Sequence, residues 1–267
     1  MMNKKIMSFF NLSSSPFTKE IKTEKLLLLP QIKSVFDSLM LLVETRGIGI
    51  LTGESGTGKT CLLRLLETKL NKGLYSVHYL CHTSVGVTEF YSHIKNSFGL
   101  LAGSRRSAMF RVIKERVLSL NKTSNIHPVL IIDEADKLST EVLQEIRLLT
   151  NYEYDSINAL TIILCGHESF TDKFGLTVLE SLANSITFSM YMDPLLKEDT
   201  FSYIEQRIQD VGGNNSLFTK NALTLIHQAS GGKMRHINLY ASNSLLKAYY
   251  SKSPQIEKEH VEAVIKR

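Results

Sequence analysis

The sequence predicts an α/β fold, in which a parallel five-stranded sheet is sandwiched by helices and is followed by a small region made only of helices. Helical and strand-like patterns alternate from residue 26 to residue 193, which is typical of a parallel sheet covered on both faces. Beyond Asp193-Pro194 the apolar residues follow helical spacing alone. We therefore expect an N-terminal arm over residues 1–25, an α/β core over residues 26–193 and a helical lid over residues 194–267.

Five short apolar runs bounded by polar or turn residues are the predicted strands. They are Ile48–Leu51, Tyr75–Cys81, Val129–Ile132, Thr161–Cys165 and Ile186–Met192. Around them the apolar residues recur at helical spacing. The predicted helices span about residues 32–43, 62–70, 87–98 and 109–120, with a polar loop at 103–107 between the last two. Strand and helix therefore alternate through the whole core.

The composition is typical of a soluble globular protein. The chain has 267 residues, of which 43% are hydrophobic and 21% are charged, and this is enough to bury a sizeable core. No apolar run approaches the roughly 20 residues that cross a bilayer, so we expect a cytoplasmic protein without a membrane anchor. The formal net charge of +5 is compatible with a polyanionic partner but does not demand one.

A glycine-rich segment follows the first predicted strand and precedes a helix. Its glycines allow backbone N–H groups to curl around phosphates, and the helix N-terminus that follows favours negative charge. Lys59 is expected to reach the terminal phosphates of ATP, and Thr60 to coordinate Mg²⁺. The predicted binding segment is Gly53, Glu54, Ser55, Gly56, Thr57, Gly58, Lys59 and Thr60. The sequence therefore predicts a site for ATP and Mg²⁺.

An acidic pair, Asp133-Glu134, follows the apolar strand that begins after Pro128. A carboxylate at the end of a buried strand is costly unless it holds a metal ion or the water around it, so Asp133 is the predicted partner of Mg²⁺. Glu134 is expected to face the γ-phosphate and to activate the attacking water as a general base. The alternative for Glu134 is a helix N-cap, because a helical pattern follows it, and the two roles are compatible.

Two further side chains are candidate sensors of the nucleotide. His167 follows the strand Thr161–Cys165 and is a candidate contact of the γ-phosphate or of the attacking water. Its alternative is a histidine on a surface loop. Arg235 lies at a predicted helix start after Gly231-Gly232 and is placed to fold back onto the nucleotide. Its alternative is a solvated arginine, which sequence physics alone favours.

Together these motifs resemble the AAA+ ATPases. More specific phrases resemble the ExeA/GspA-like branch, which includes AAA+ ATPases similar to the transposition regulators MuB, TniB and TnsC. These phrases are Phe9-Phe10-Asn11-Leu12 with Pro16-Phe17, residues 45–54, and Ile256 with Glu259-His260-Val261. The resemblance implies homo-oligomers, as a ring or a helical filament, that assemble with ATP on duplex DNA. It further implies recruitment of a transposase, with a target-selection protein as another candidate partner.

A different function remains open within the same branch, namely a secretion or envelope-assembly ATPase that acts on a protein partner. Relatives that serve secretion carry a membrane segment and a periplasmic peptidoglycan-binding region, whereas those that serve transposition stop after the lid. Because this sequence stops after the lid, we expect the transposition function. A replication initiator is a further alternative, but such proteins usually append a winged helix that reads DNA.

One departure from the family concerns the arginine finger, which in relatives precedes the last core strand. Here the corresponding positions are Ala183 and Ser185. Because an arginine finger contributes about 10³-fold or more in rate, its absence predicts slow hydrolysis, a substitute such as Arg147 or Lys173, or a regulator that mainly binds ATP.

Contacts with the DNA backbone need only lysines and arginines along a groove or pore. Arg105 and Arg106 in the polar loop are the best local candidates, because the related ring-forming regulators turn this region toward their central channel, and Lys95 is near them in the sequence. The alternative is a solvated basic loop. No helix-turn-helix or zinc motif is visible, so the expected DNA binding is not sequence-specific.

Overall fold

The computed structural model describes residues 3–18, 29–101 and 103–266. The chain forms two compact units. The sheet unit comprises Gln31–Gly53 and Lys59–Met192. The helical unit comprises Glu54–Gly58, the chain from Asp193 on, and the described residues before Gln31. Residues 19–25 of the predicted arm lie outside the described residues.

The predicted α/β fold with a parallel five-stranded sheet is confirmed. The strands are β1 (Ile48–Thr52), β2 (Tyr75–Leu80), β3 (His127–Ile132), β4 (Thr161–Cys165) and β5 (Ile186–Tyr191). Their order in the sheet is β2-β3-β4-β1-β5, and every neighbouring pair is parallel. Every residue of β1, β3 and β4 is buried. The carboxyl ends of all five strands therefore lie at one edge of the sheet, the carboxyl edge, and their beginnings lie at the amino edge.

Helices connect the strands, and helices also make up most of the described chain beyond β5. In chain order they are α1 (Lys4–Phe9), α2 (Pro30–Thr45), α3 (Lys59–Lys69), α4 (Val87–Ser97), α5 (Arg106–Thr123), α6 (Thr140–Thr150), α7 (Glu180–Ala183), α8 (Lys197–Gln209), α9 (Lys220–Ser230), α10 (Met234–Tyr250) and α11 (Lys258–Ile265). Apolar residues of α4, α5 and α6 form one buried cluster with β3 and β4, so β3 and its carboxyl end are held rigidly.

Several predicted boundaries are wrong. The helix expected from Met109 begins at Arg106, so Arg106 belongs to α5 and not to the preceding loop. β3 begins at His127 and includes Pro128, which lies beside Ser76 at the start of the β2–β3 pair. β2 and β5 each end one residue earlier than expected. Residues at the ends of elements contribute little to an apolar pattern, which explains these errors.

In the helical unit, residues from both ends of the chain pack together. Phe10 and Phe17 are buried, and the Phe17 ring meets the Phe218 ring edge-on at 6.1 Å. Phe9 is 40% exposed and contacts the ring of Tyr249. The buried Arg207 donates to the carbonyl oxygen of Pro16. The described part of the predicted arm is thus packed against the protein's own C-terminal helices.

Within the described part of the chain, no helix combines the length and the apolar character that crossing a membrane requires.

Candidate active site

The glycine-rich loop connects β1 to α3. Gly53 has a φ of +151°, and a Cβ atom there would lie 2.5 Å from the carbonyl oxygen of Met192, so a side chain does not fit. The Lys59 ammonium donates to the carbonyl oxygen of Gly53 at 2.7 Å. The Thr57 hydroxyl donates to the carbonyl oxygen of Glu54 at 3.0 Å. The loop is thus curled, and Lys59 closes back onto its first residue.

Asp133 lies just beyond β3 at the carboxyl edge of the sheet and is 6% exposed. Its Oδ2 atom accepts hydrogen bonds from the Thr60 hydroxyl and from the Tyr79 hydroxyl, both at 2.8 Å. Its Oδ1 atom accepts from the backbone N–H of Glu134 at 2.9 Å. Donors from α3, from β2 and from the following residue therefore surround one buried carboxylate, which lowers the cost of burying it.

Thr60 and Asp133 suit a magnesium ion. Mg²⁺ prefers hard oxygen ligands and binds through one or two protein groups, water and substrate phosphates. A hydroxyl and a carboxylate meet here at 2.8 Å, directly after the loop that is expected to bind phosphates. These two residues would hold the ion, as the sequence predicted, and the chemistry of the donor set fits it.

Two other groups beside Asp133 were not expected from the sequence. Tyr79 occupies β2, and burial followed by the hydrogen bond to Asp133 raises the pKa of its hydroxyl. Burial, followed by the negative charge of Asp133, raises the pKa of the Cys165 thiol at the end of β4. Both groups therefore stay protonated near neutral pH. A polar residue near the end of an apolar strand is the signal that sequence reasoning overlooked.

Glu134 lies in the left-handed region, with a φ of 57°, which non-glycine residues seldom adopt. The buried Thr83 hydroxyl donates to its carbonyl oxygen at 2.8 Å and anchors this turn. The Glu134 carboxylate forms an ion pair with Lys137, and both side chains are about half exposed. Glu134 precedes the 3₁₀ turn Ala135–Lys137, but within the described residues its side chain makes no capping hydrogen bond. The role of general base stays a prediction.

His167 follows β4 at the same carboxyl edge of the sheet. Its backbone N–H donates to the carboxylate of Asp136 at 3.1 Å. Its ring accepts from the backbone N–H of Ser169, and so caps the 3₁₀ helix that begins at Glu168. The ring thus has a structural contact of its own, and its sensor role stays a prediction.

In the helical unit, the start of α10 contacts residues 54–58 of the glycine-rich loop, which belong to the same unit. The Arg235 guanidinium donates to the Ser55 hydroxyl at 3.1 Å, and the Arg235 backbone N–H donates to the carbonyl oxygen of Gly56, also at 3.1 Å. A Cβ atom at Gly56, whose φ is +91°, would lie 2.9 Å from the Cβ of Arg235. Lys233 forms an ion pair with Glu54. Arg235 therefore contacts the predicted phosphate-binding segment, and Lys233 is a further contact that the sequence did not indicate.

The two positions expected for an arginine finger lie around the end of α7. Of the two suggested substitutes, Arg147 forms an ion pair with Asp155 and lines a cleft of about 780 Å³. Ile48, Leu160 and Thr187 also line this cleft. It therefore opens at the amino edge of the sheet and is not the phosphate site. Lys173 donates to the carbonyl oxygens of Asp136 and Leu138 at 2.6 and 2.8 Å. Both candidates are therefore engaged inside their own chain.

The candidate DNA contacts differ in their surroundings. Arg106 forms an ion pair with Glu145, whose other oxygen accepts from the buried Tyr91 hydroxyl at 2.7 Å. Arg106 thus has a structural contact that links α5 to α6. Arg105 is exposed and precedes α5, and no ion pair with it is found within the described ranges. Lys95 is half-buried in the last turn of α4.

Comparison with known proteins finds a matching family model and a curated relative. Residues 42–174 match the family described as AAA domain. General secretion pathway protein A of Aeromonas hydrophila is 31% identical over 257 residues, which cover 93% of this chain and 46% of that protein. This chain therefore spans about half the length of the curated relative it matches.

Solved structures extend the likeness to the fold. The ORC2 protein of Aeropyrum pernix, described as ADPNP-ADP complexes, has a TM-score of 0.71 and 16% identity, and the match covers 96% of this chain and 72% of that one. The ORC1 protein of Aeropyrum pernix in complex with DNA has a TM-score of 0.69 and 16% identity, with 93% and 67% covered. At these identities the likeness establishes the fold alone.

Proposed function

We propose that this chain, which has the AAA+ P-loop fold and matches the family described as AAA domain over residues 42–174, binds ATP with Mg²⁺ and hydrolyses it to ADP and phosphate. The hydrogen bond of 2.8 Å between Thr60 and Asp133, beside the loop that Lys59 closes, carries this proposal. It brings the two predicted ligands of magnesium together from segments 73 residues apart in the sequence. The curled loop supplies N–H groups for the phosphates.

Each side chain then has a role in phosphoryl transfer to water. Lys59 and the loop N–H groups bind and orient the phosphates, and Thr60 with Asp133 would hold Mg²⁺, which neutralises phosphate charge when bound. Glu134 accepts a proton from the attacking water, for which it must leave Lys137. Arg235, which already contacts Ser55, and His167 are the proposed sensors of the terminal phosphate.

Slow turnover is part of the proposal. Ala183 and Ser185 occupy the finger positions, while Arg147 and Lys173 are held by contacts within the chain. Without a cationic finger, charge that develops on the phosphate lacks one stabilising group, which typically contributes about 10³-fold or more.

Nucleotide binding by a Lys59→Ala variant tests the ATP site. We expect at least tenfold weaker binding of ATP, because a charge-assisted contact with phosphate is lost. Lys69→Ala is the matched control, since Lys69 lies in the last turn of the same helix. Equal affinity of the wild type and Lys59→Ala would contradict the proposed site.

For the partner, we propose duplex DNA bound through its backbone, with ATP promoting assembly of protomers as a ring or a helical filament. A transposase, together with a target-selection protein, would then be recruited to this assembly. Three features support this proposal: the residue phrases that resemble the ExeA/GspA-like branch, to which transposition regulators are similar, the fold shared with a DNA-bound ORC1 protein, and the exposed Arg105. Lys95 and Arg106 are the further proposed contacts.

The second candidate is a secretion or envelope-assembly ATPase that acts on a protein partner. One specific observation favours it: 31% identity with General secretion pathway protein A over 257 residues. The shared ATPase machinery serves either function, so the ATP site does not discriminate between them.

Binding to labelled non-specific duplex DNA at two salt concentrations distinguishes these functions. The measurement is made with ATP, with ADP and with the Lys59→Ala variant, and it reads complex size and affinity together. The DNA proposal predicts ATP-dependent assembly that weakens steeply as salt rises and that is lost in the variant. Tight ATP binding without any DNA binding would overturn it and would favour the secretion function.

A further inference from the structure

Tyr79 reaches the magnesium carboxylate from a neighbouring strand. It pairs with Ile131 in the register of β2 and β3, so Asp133, two residues further on, faces the same side of the sheet. Such diagonal neighbours are roughly 7–8 Å apart, which a tyrosine side chain can bridge. The Tyr79 hydroxyl accordingly donates to the Asp133 Oδ2 atom at 2.8 Å.

The hydroxyl of Tyr79 differs from the other donors to Asp133. Thr60 is itself assigned to the metal, the Glu134 N–H is a backbone group adjacent to the carboxylate, and the Cys165 thiol is only a weak donor. Tyr79 therefore contributes a side-chain donor from outside the glycine loop and outside the acidic pair. Its side chain is 43% exposed, so this large residue is not explained by filling the core.

We propose that Tyr79 is a positioning residue for the magnesium site, whose hydroxyl fixes the orientation of the Asp133 carboxylate. This inference rests on the proposed ATPase function. Groups that hydrogen-bond to metal-binding carboxylates orient them, and their removal typically weakens metal affinity about 10–100-fold. Phenylalanine at this position keeps the ring and removes only the donor.

The test measures the affinity of a fluorescent ATP analogue across a range of Mg²⁺ concentrations and in EDTA. It compares the wild type, Tyr79→Phe, Asp133→Asn and Tyr75→Phe. Tyr75 is the matched control, because it lies at the other end of β2, where its ring meets His127 edge-on at 6.3 Å. We expect Tyr79→Phe to raise the Mg²⁺ concentration at half-maximal effect about tenfold. Its affinity for the analogue in EDTA and its Tm should match those of Tyr75→Phe.

The outcomes separate this inference from the proposed function. If the wild type shows no effect of Mg²⁺, or if Asp133→Asn retains the full effect, the magnesium-dependent ATP site itself is wrong. If Asp133→Asn loses the effect while Tyr79→Phe shifts it less than twofold, the positioning role alone is wrong. If Tyr79→Phe weakens binding equally in EDTA, the hydroxyl supports the fold and not the metal, and the inference is also overturned.

Discussion

At the amino edge of the sheet, the His127 ring is hydrogen-bonded to Thr161 and Asn121, whereas at the carboxyl edge Thr60 and Tyr79 converge on the Asp133 carboxylate. The His127 Nε2 atom lies 2.8 Å from the Thr161 hydroxyl, and its Nδ1 atom lies 3.3 Å from the Asn121 amide oxygen. The Asn121 amide nitrogen donates to two carbonyl oxygens, so its oxygen faces the ring. A neutral ring therefore donates to Asn121 and accepts from Thr161.

The two edges of the sheet differ in what we expect them to contribute: the amino edge contributes to stability, and the carboxyl edge to the proposed chemistry. At the amino edge, the buried groups His127, Thr161 and Asn121 satisfy one another while uncharged, which favours folding. The carboxyl edge buries the Asp133 carboxylate, and such a cost is typical of functional sites. Substitutions at the carboxyl edge should therefore alter turnover, and substitutions at the amino edge should alter stability.

The largest effect is expected for Glu134→Gln at the carboxyl edge. Removal of a general base should lower single-turnover hydrolysis of ATP at least about 100-fold. ATP affinity and Tm should change little, because the Glu134 side chain is half exposed and forms its ion pair with the equally exposed Lys137. Glu115→Gln on the exposed face of α5 is the control. A variant that keeps more than a tenth of the wild-type rate would remove Glu134 from the chemistry.

Much of the carboxyl edge was predictable from sequence, and much of the amino edge was not. The loop from Gly53 to Thr60 and the strand that precedes Asp133 form local patterns, so their candidate roles could be predicted without coordinates. The contacts of Tyr79 and His127 depend on the register of β2, β3 and β4, and a single sequence does not define that register. The sequence suggested that Arg106 is a cation on a loop, because its ion-pair partner Glu145 lies 39 residues away in the sequence.

The next effect concerns His127, whose pKa is lowered to about 4, chiefly by burial and secondarily by the positive charge of Arg46. As the pH falls, the His127 side chain takes up a proton first in the unfolded state, where its pKa is near 6.5. Neutral His127 therefore contributes fully to stability above about pH 6.5, and this contribution is lost between about pH 6.5 and pH 4. From pH 7.5 to 4.5, the wild type should lose about 2 to 3 kcal/mol more stability than His127→Gln.

Urea unfolding of both proteins at the two pH values measures this difference, and carboxylates common to both cancel. His82→Gln serves as control, because His82 is exposed. An equal pH dependence of the wild type and His127→Gln would contradict the neutral buried histidine. A large effect of His127→Gln on ATP turnover at pH 7.5 would break the division between the two edges.

The smallest effect is expected for Arg147→Ala at the amino edge. The arginine pairs with Asp155, whose side chain is half exposed, so the loss of stability should be about 1 kcal/mol or less. Turnover should stay within about twofold of the wild type, because Arg147 is held inside its own chain. A fall of 10³-fold in turnover would instead identify Arg147 as the substitute arginine finger. Measurements at several protein concentrations would show whether that role acts between protomers.

Phosphate release from ATP by the purified chain, with Mg²⁺ or with EDTA, tests the central claim that the carboxyl edge is a magnesium-dependent ATPase site. Wild type and Asp133→Asn are compared at saturating ATP in single-turnover and steady-state experiments. We predict slow release by the wild type that requires Mg²⁺ and that Asp133→Asn abolishes. Release that persists in EDTA, or that Asp133→Asn leaves unchanged, would contradict the claim.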